Sequence, residues 1–271
     1  MRRTGRFSAD EGRIRYWVKA LGHRPLMEIT PADVAEHREA LARRGLSGST
    51  VNRFLSQLSV VFTATRERWN CDNPARGGIR HREDNERLRV LTDDEFWSLD
   101  SFVVQWSSDY RLLPMMLCAL GCGARQRELM MMRWEWVDLE AGTAYLPRHV
   151  TKARRDRRVR FAGLALDALR SLPRAGVNVW EDNFWEDNGG GVRWPREEWE
   201  RAVAAAGIED LTWRDLRTTS ATWLAMLGAS VPVVAHHLGH LSLSQTARYV
   251  NFVAGRKSQV ATKVVPKYGE F

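Results

Sequence analysis

Two rhythms of apolar residues run along this chain, a helical one in steps of three and four and, once, a strand-like alternation. The helical rhythm comes first. TPADVAEHREALARRG starts at Thr30 with a helix-capping residue and a proline suited to the first turn, and it stops at Gly45. SGSTVNRFLSQLSVVFTATRERW repeats the design at greater length. Ser49 or Thr50 stands near its start, and Val51, Phe54, Leu55, Leu58, Val61 and Phe62 share one side while the other is polar and basic. The next stretch, NCDNPARGGIRHREDNERLR, has proline, paired glycines and many charges but almost no apolar residues, the composition of an exposed linker.

A new cap, LTDDEF, opens a second helical run that continues through LCALGCGARQRELMMM. Then the period changes to two. WEWVDLEAGTAYLPRHVTKARRDRRVRFAG alternates, with Gly142 as one turn and KARRD as another, which predicts a small three-stranded antiparallel sheet. Helices return from about residue 163. The glycine-rich EDNGGGVRW reads as a surface loop, because it lacks the lysine and the spacing of a nucleotide-binding loop.

Composition narrows the function. A hydrophobic content of 44% supports a packed core. No run of eighteen apolar residues occurs, and the first residues carry charge without the apolar stretch of a secretion signal, so a cytoplasmic protein with no membrane partner is expected. Cys71, Cys118 and Cys122 are odd in number and have no paired-ligand spacing, as packed, reduced thiols would. The net charge of +8 suits a polyanionic partner, since lysines and arginines placed on phosphates release condensed counterions, though many basic proteins bind no nucleic acid.

Several clusters could carry chemistry. His236 and His240 stand four apart, as a metal pair on one helical face would. Gly239 between them is expected to end the helix and no third ligand is near, so packing or a non-metal role is the stronger reading and no cofactor is expected. Arg125 and Glu128 lie three apart at a helix start; alone, they read as an exposed ion pair. Arg214 and Arg217 also lie three apart, with Trp213, Leu216, Ala221 and Leu224 as apolar neighbours. Like charges on one face repel unless an anion sits between them, which favours a phosphate site. Lys152, at the second turn of the sheet, could reach a phosphate or simply be solvated.

Their order is more specific than any one of them. Gly123-Ala124-Arg125-x-x-Glu128, the hairpin Thr151-Lys152, Arg214-Asp215-Leu216-Arg217, Leu238-Gly239-His240 and Tyr249 nine residues on resemble the signature of the tyrosine recombinases, the phage-integrase family. LMEITPADVAEHREALARRG and the long helix after it, followed by NP and LTDDE, resemble that family's core-binding domain, so the resemblance covers nearly the whole chain. It implies a mainly α fold with a small antiparallel β-sheet in two domains. These are a helical, SAM-like core-binding DNA-binding domain over residues 1–80, a linker at 81–91 and an α+β catalytic domain over 92–271. Residue by residue, it implies that Tyr249 attacks a DNA phosphodiester to give a 3′-phosphotyrosyl link and a free 5′-hydroxyl. Arg125 and Arg217 would clamp the non-bridging oxygens, Lys152 would protonate the leaving oxygen, His240 would bond the phosphate and Glu128 would hold an arginine in place. Tyr16, Tyr110, Tyr145 and Tyr268 lack this context.

The physical logic agrees with this chemistry. A phosphorane-like transition state gathers negative charge, and fixed guanidinium forks meet it without a metal. One position departs from the family pattern: Arg214 stands where a histidine is usual. An arginine cannot take the nucleophile's proton, so a base, if one acts, is His240 or water, and Arg214 binds phosphate or favours the phenolate by its charge. The departure also leaves open a DNA-binding relative without activity. A type IB topoisomerase shares the nucleophile, but the LGH element and the core-binding unit argue against it.

The resemblance further implies a phage or mobile-element enzyme acting on duplex DNA, four protomers on paired sites, and DNA-bending or directionality factors as further partners. Arg53, Gln57 and Arg66 on the long helix and Arg76, Arg80 and Arg82 in the linker are candidate DNA contacts. The segment after Tyr249 is expected to dock on a neighbouring protomer. The chain starts almost directly in the core-binding unit, which fits recognition of simple core sites or a shortened product.

Overall fold

Paired caps start the helices where the sequence places them. Thr30 accepts a hydrogen bond from the Asp33 amide (3.3 Å) while the Asp33 carboxylate accepts from the Thr30 amide (2.7 Å), and Thr92 and Glu95 repeat the exchange. The computed structural model describes residues 5–69, 71–76, 80–81, 88–180, 194–253 and 256–266, and the chain divides into two units, Met1–Arg87 and Leu88–Phe271. Most of the glycine-rich stretch, 186–193, lies outside the described residues.

In the first unit, α1 (Gly5–Leu21), α2 (Pro31–Arg43) and α3 (Gly48–Trp69) enclose a core of Trp17, Leu21, Val34, Leu41, Val51, Leu55, Leu58 and Phe62. Of the six apolar residues assigned to one side of α3, Phe54 is half-buried and Val61 is exposed. At about 100° per residue, Phe54 lies about 70° and Val61 about 90° from the centre of the stripe; Phe54 still packs edge-on against Tyr16 of α1, while Val61 is left exposed. Buried Asn52 exchanges two hydrogen bonds of 2.8 Å with the backbone of His81, holding that part of the exit segment along α3. Arg53, Arg66, Arg76 and Arg80 are exposed, Gln57 is half-buried and donates to Asp10 (3.1 Å), and Arg82 lies outside the described residues.

The second unit is built round α5 (Leu112–Cys122), which is apolar almost all round and therefore buried almost all round. Against it pack α4 (Asp93–Trp106), α6 (Gln126–Met130), α7 (Gly163–Ser171) and α9 (Trp213–Met226). The expected sheet is present, with order β1 (Val137–Asp138), β2 (Thr143–Leu146), β3 (Arg157–Arg160), all antiparallel. Ala144 pairs with Val159 on its buried face, and Tyr145 with Arg158 on its exposed one. Helix α8 (Arg196–Ala205) lies beside α4. Helices α10 (Val231–Leu238) and α11 (Ser244–Phe252) pack on α9. All three cysteines are buried and free. Among the described residues no helix is long and apolar enough to cross a membrane.

Over residues 256–266, including α12 (Ala261–Val264), the segment after Tyr249 packs on its own unit. Asp93 accepts hydrogen bonds from the Ser258 hydroxyl and the Gln259 amide, and Val260, Ala261, Val264 and Val265 are buried in the core. Between α5, α7 and the tail the packing is close: a Cβ added at Gly121 would come within 2.7 Å of the Ala165 side chain and 3.0 Å of the Val264 carbonyl oxygen. At Gly163, with φ +48°, an added Cβ would come within 2.0 Å of the Lys263 carbonyl oxygen.

Gly163→Ala is therefore expected to destabilise this unit by about 3 kcal/mol, in the upper range for single substitutions. Gly207→Ala, at φ +68° with nothing within 4 Å, should lose only the ~1 kcal/mol of a left-handed alanine. Urea unfolding of both variants checks this; equal losses would mean that the tail contact contributes nothing.

Candidate active site

A carboxylate with 1% exposure is the first thing to account for. Glu128, in the single turn of α6, accepts from the Arg125 amide (3.1 Å) and the Arg125 guanidinium (2.9 Å), and from Arg157 on β3 (3.2 Å). Burial alone would raise its pKa. The charge of Arg157 and the bonds from Arg125 more than reverse this and hold the carboxyl below the usual range. The exposed ion pair that the sequence suggests for Arg125 and Glu128 is thus corrected: the acid is buried and shared by two arginines.

Arg157 continues the network. It donates to the carbonyls of Leu238 (2.7 Å) and His237 (3.0 Å), the last two of α10, which have no partner inside their helix. Arg217, from the second turn of α9, reaches the Leu238 carbonyl from another side (2.7 Å) and also donates to the Gly123 carbonyl at the end of α5. Burial, with the like charges of Arg125 and Arg157, pushes Arg217 down to about 9, still protonated at neutral pH. Gly239 ends α10 at φ +65°, and a Cβ there would come within 2.7 Å of the Arg157 guanidinium, so glycine both makes the turn and leaves room for the cation.

Beyond that turn lies His240. Its Nδ1 is 2.9 Å from the Thr246 hydroxyl, and its ring stacks at 28° and 6.5 Å from that of Tyr249. Burial and the surrounding arginines, Arg217 foremost, push it down to about 4, so it is neutral at neutral pH. His237 is buried against the Ser220 hydroxyl (2.9 Å) and pushed down to about 3, chiefly by burial. His236, its neighbour on the same helix, is exposed. Among the described residues no three His, Cys, Asp or Glu side chains are grouped to hold a metal ion.

These elements border a pocket of about 440 Å³. Arg125, Lys152, Arg214, Arg217, His240 and Tyr249, far apart in sequence, all line it, and Glu128 lies beneath. Lys152 enters from the turn between β2 and β3, and exposed Arg214 from the first turn of α9. Tyr249, on α11, is 5% exposed, and its hydroxyl accepts from Arg248 (3.0 Å). Three guanidiniums against one carboxylate leave an excess of positive charge before Lys152 and Arg214 are counted. Such a site attracts an anion and holds fixed donors toward it.

Two residues of this arrangement, Arg157 and Arg248, are missing from the sequence reading. For Arg157 a signal was available. Strand alternation puts it on the same face as Val159 and Phe161, which the sheet buries, and a charge in a buried register needs a partner. Arg248 carries no such mark, because neighbouring residues on a helix ordinarily point apart.

The phage integrase family model matches residues 191–254. A shufflon-specific DNA recombinase of Escherichia coli is 30% identical over 241 residues, covering 85% of this chain and 60% of that protein. The Tn1549 transposon integrase in complex with a circular intermediate DNA superposes with a TM-score of 0.74 at 18% identity over 92% of this chain and 89% of its own. A lambda integrase tetramer bound to a Holliday junction does so at 0.72 and 19%, over 96% and 75%. At those identities the structural likeness speaks for the fold.

The buried histidines and Glu128 make the unit acid-sensitive. An unfolded histidine titrates near ~6.5 and an unfolded glutamate near ~4.3, while their folded values lie lower. As pH falls below about 6.5 the unfolded chain therefore takes up protons that the fold refuses, and stability drops. The urea midpoint should decline from pH 6.5 downward, and His237→Gln should flatten the decline between about 6.5 and 5. An unchanged slope would remove His237 as its cause.

Proposed function

The chain belongs to the tyrosine recombinase family of phage integrases, and we propose that it is a site-specific DNA recombinase working through a 3′-phosphotyrosyl intermediate at Tyr249. One observation carries this reading: a pocket with surplus guanidinium charge, fixed from beneath by a buried carboxylate, meets a tyrosine hydroxyl.

Arg125 and Arg217 bind the non-bridging oxygens of the scissile phosphate. The Tyr249 oxygen forms a bond to phosphorus as its proton passes to water, the bond to the 5′-oxygen breaks, and Lys152 supplies that oxygen with a proton. Charge gathering on the equatorial oxygens meets donors already in place, which lowers the barrier without reorganisation. His240, neutral, bonds the phosphate. Arg214 adds a further charge at the rim and, staying protonated, takes no proton. The linkage keeps the energy of the broken bond, so the 5′-hydroxyl of another strand reverses the step without ATP.

The first unit is the core-binding domain in this reading, with Arg53, Gln57, Arg66, Arg76, Arg80 and Arg82 as candidate contacts to duplex DNA. Exchange between two duplexes needs four cuts. Four protomers on paired sites follow, an assembly supported by the tetramer that lambda integrase forms on a Holliday junction. Directionality or DNA-bending factors and a phage or mobile element as origin belong to the same reading, as does a cytoplasmic place of action. The chain spans about 60% of the length of the shufflon recombinase that it matches.

The test is covalent trapping on a nicked duplex bearing the recombination site from the flanks of the chain's own gene. In the presence of a chelator, the unaltered protein should give an adduct that survives denaturation, and Tyr249→Phe should give none while binding the duplex equally. Binding by both without an adduct would instead favour a DNA-binding relative without activity, with Arg214 as its cause.

A further inference from the structure

A buried nucleophile raises the question of what its oxygen touches. The hydrogen bond given to the Tyr249 hydroxyl comes from Arg248 Nη2, at 3.0 Å, and the same guanidinium lies 4.9 Å from the centre of the tyrosine ring. Consecutive residues on a helix point about 100° apart, so Arg248 has to fold back across its neighbour to make both contacts. The other cations near the ring are engaged elsewhere or face outward. Arg125 is held by Glu128, and Arg217 by the Gly123 and Leu238 carbonyls. His240 is turned to Thr246; Lys152 and Arg214 stand exposed at the rim, and Arg248 is itself exposed while its guanidinium reaches the tyrosine oxygen.

We propose that Arg248 is a further catalytic residue, which holds the Tyr249 oxygen through a charged hydrogen bond and stabilises the negative charge that develops there as attack begins. The inference rests on the reading of Tyr249 as nucleophile. A cationic donor favours the deprotonated form of the acid that it touches. It occupies one lone pair of the phenol oxygen and leaves the other for phosphorus. As the bond from oxygen to phosphorus forms, the phenol proton passes to water and the bond to the 5′-oxygen breaks, with Lys152 protonating that oxygen. Arg248 gives up no proton. It supplies a charge from the nucleophile's own helix, in a chain that has Arg214 where the family pattern has a histidine.

The nicked duplex separates this role from others, once with the natural 5′-oxygen and once with sulfur at that bridging position, which leaves without protonation. With the natural duplex at pH 7, Arg248→Gln should form adduct about tenfold more slowly than the unaltered chain, the effect of losing one charged hydrogen bond to the attacking oxygen. The gap should narrow at alkaline pH, where bulk base takes the phenol proton whether or not a cation stands beside it. Arg248→Lys should restore part of the rate, and the sulfur duplex should not close the gap at pH 7. An unaltered rate, a gap constant with pH, rescue by sulfur, or loss of DNA binding in place of rate would each overturn the proposal. If the unaltered chain forms no adduct with either duplex, the reading of Tyr249 falls first, and this one with it.

Discussion

The second unit depends on a buried carboxylate that satisfies more than one cation. Removing a glutamate from water is unfavourable by several kcal/mol unless charge and hydrogen bonds replace the solvent. Glu128 obtains that replacement from Arg125 and Arg157, and those two residues come from different elements, one ahead of α6 and one on β3. Arg157 also directs donors to the end of α10, where Arg217 of α9 joins it on the same carbonyl. A sheet, three helices and two loops are thus held in register by a few polar contacts. A surplus of positive charge is left over, and the pocket presents it.

Much of this was legible in the sequence because it depends on local rules. The caps at Thr30 and Thr92, the turn at Gly142 and the alternation that makes the small sheet are decided by near neighbours. Six of the residues that line the pocket were found through their order along the chain. What local rules could not supply is which polar side chains the fold would bury. Glu128 reads as half of a surface pair until β3 brings Arg157 beneath it. Val61 reads as core until only two helices are available to cover α3. Arg248 reads as a solvated charge until its side chain is seen across Tyr249.

The pocket divides its work between fixed and adjustable parts. Arg125 and Arg217 are committed to Glu128 and to backbone carbonyls, so their forks are aimed before any ligand arrives. Tyr249 rides on α11, linked to this frame through α9, α10 and the stacked ring of His240. Precision is concentrated in the guanidinium frame, and the tyrosine sits on a separate element.

The way the tail closes the core also orders events during synthesis. The first unit takes its apolar contacts from residues 17 to 71, close neighbours in the chain, and can be complete while translation continues. The second unit cannot, because Val260, Ala261, Val264 and Val265 fill a groove between helices made more than ninety residues earlier. Until those residues leave the ribosome, α5 and α7 stay open to solvent along that groove. A nascent chain thus passes through a period with one finished unit and one unfinished, and a message cut short before codon 260 yields a product with an exposed apolar seam, the kind of surface that chaperones and proteases seize.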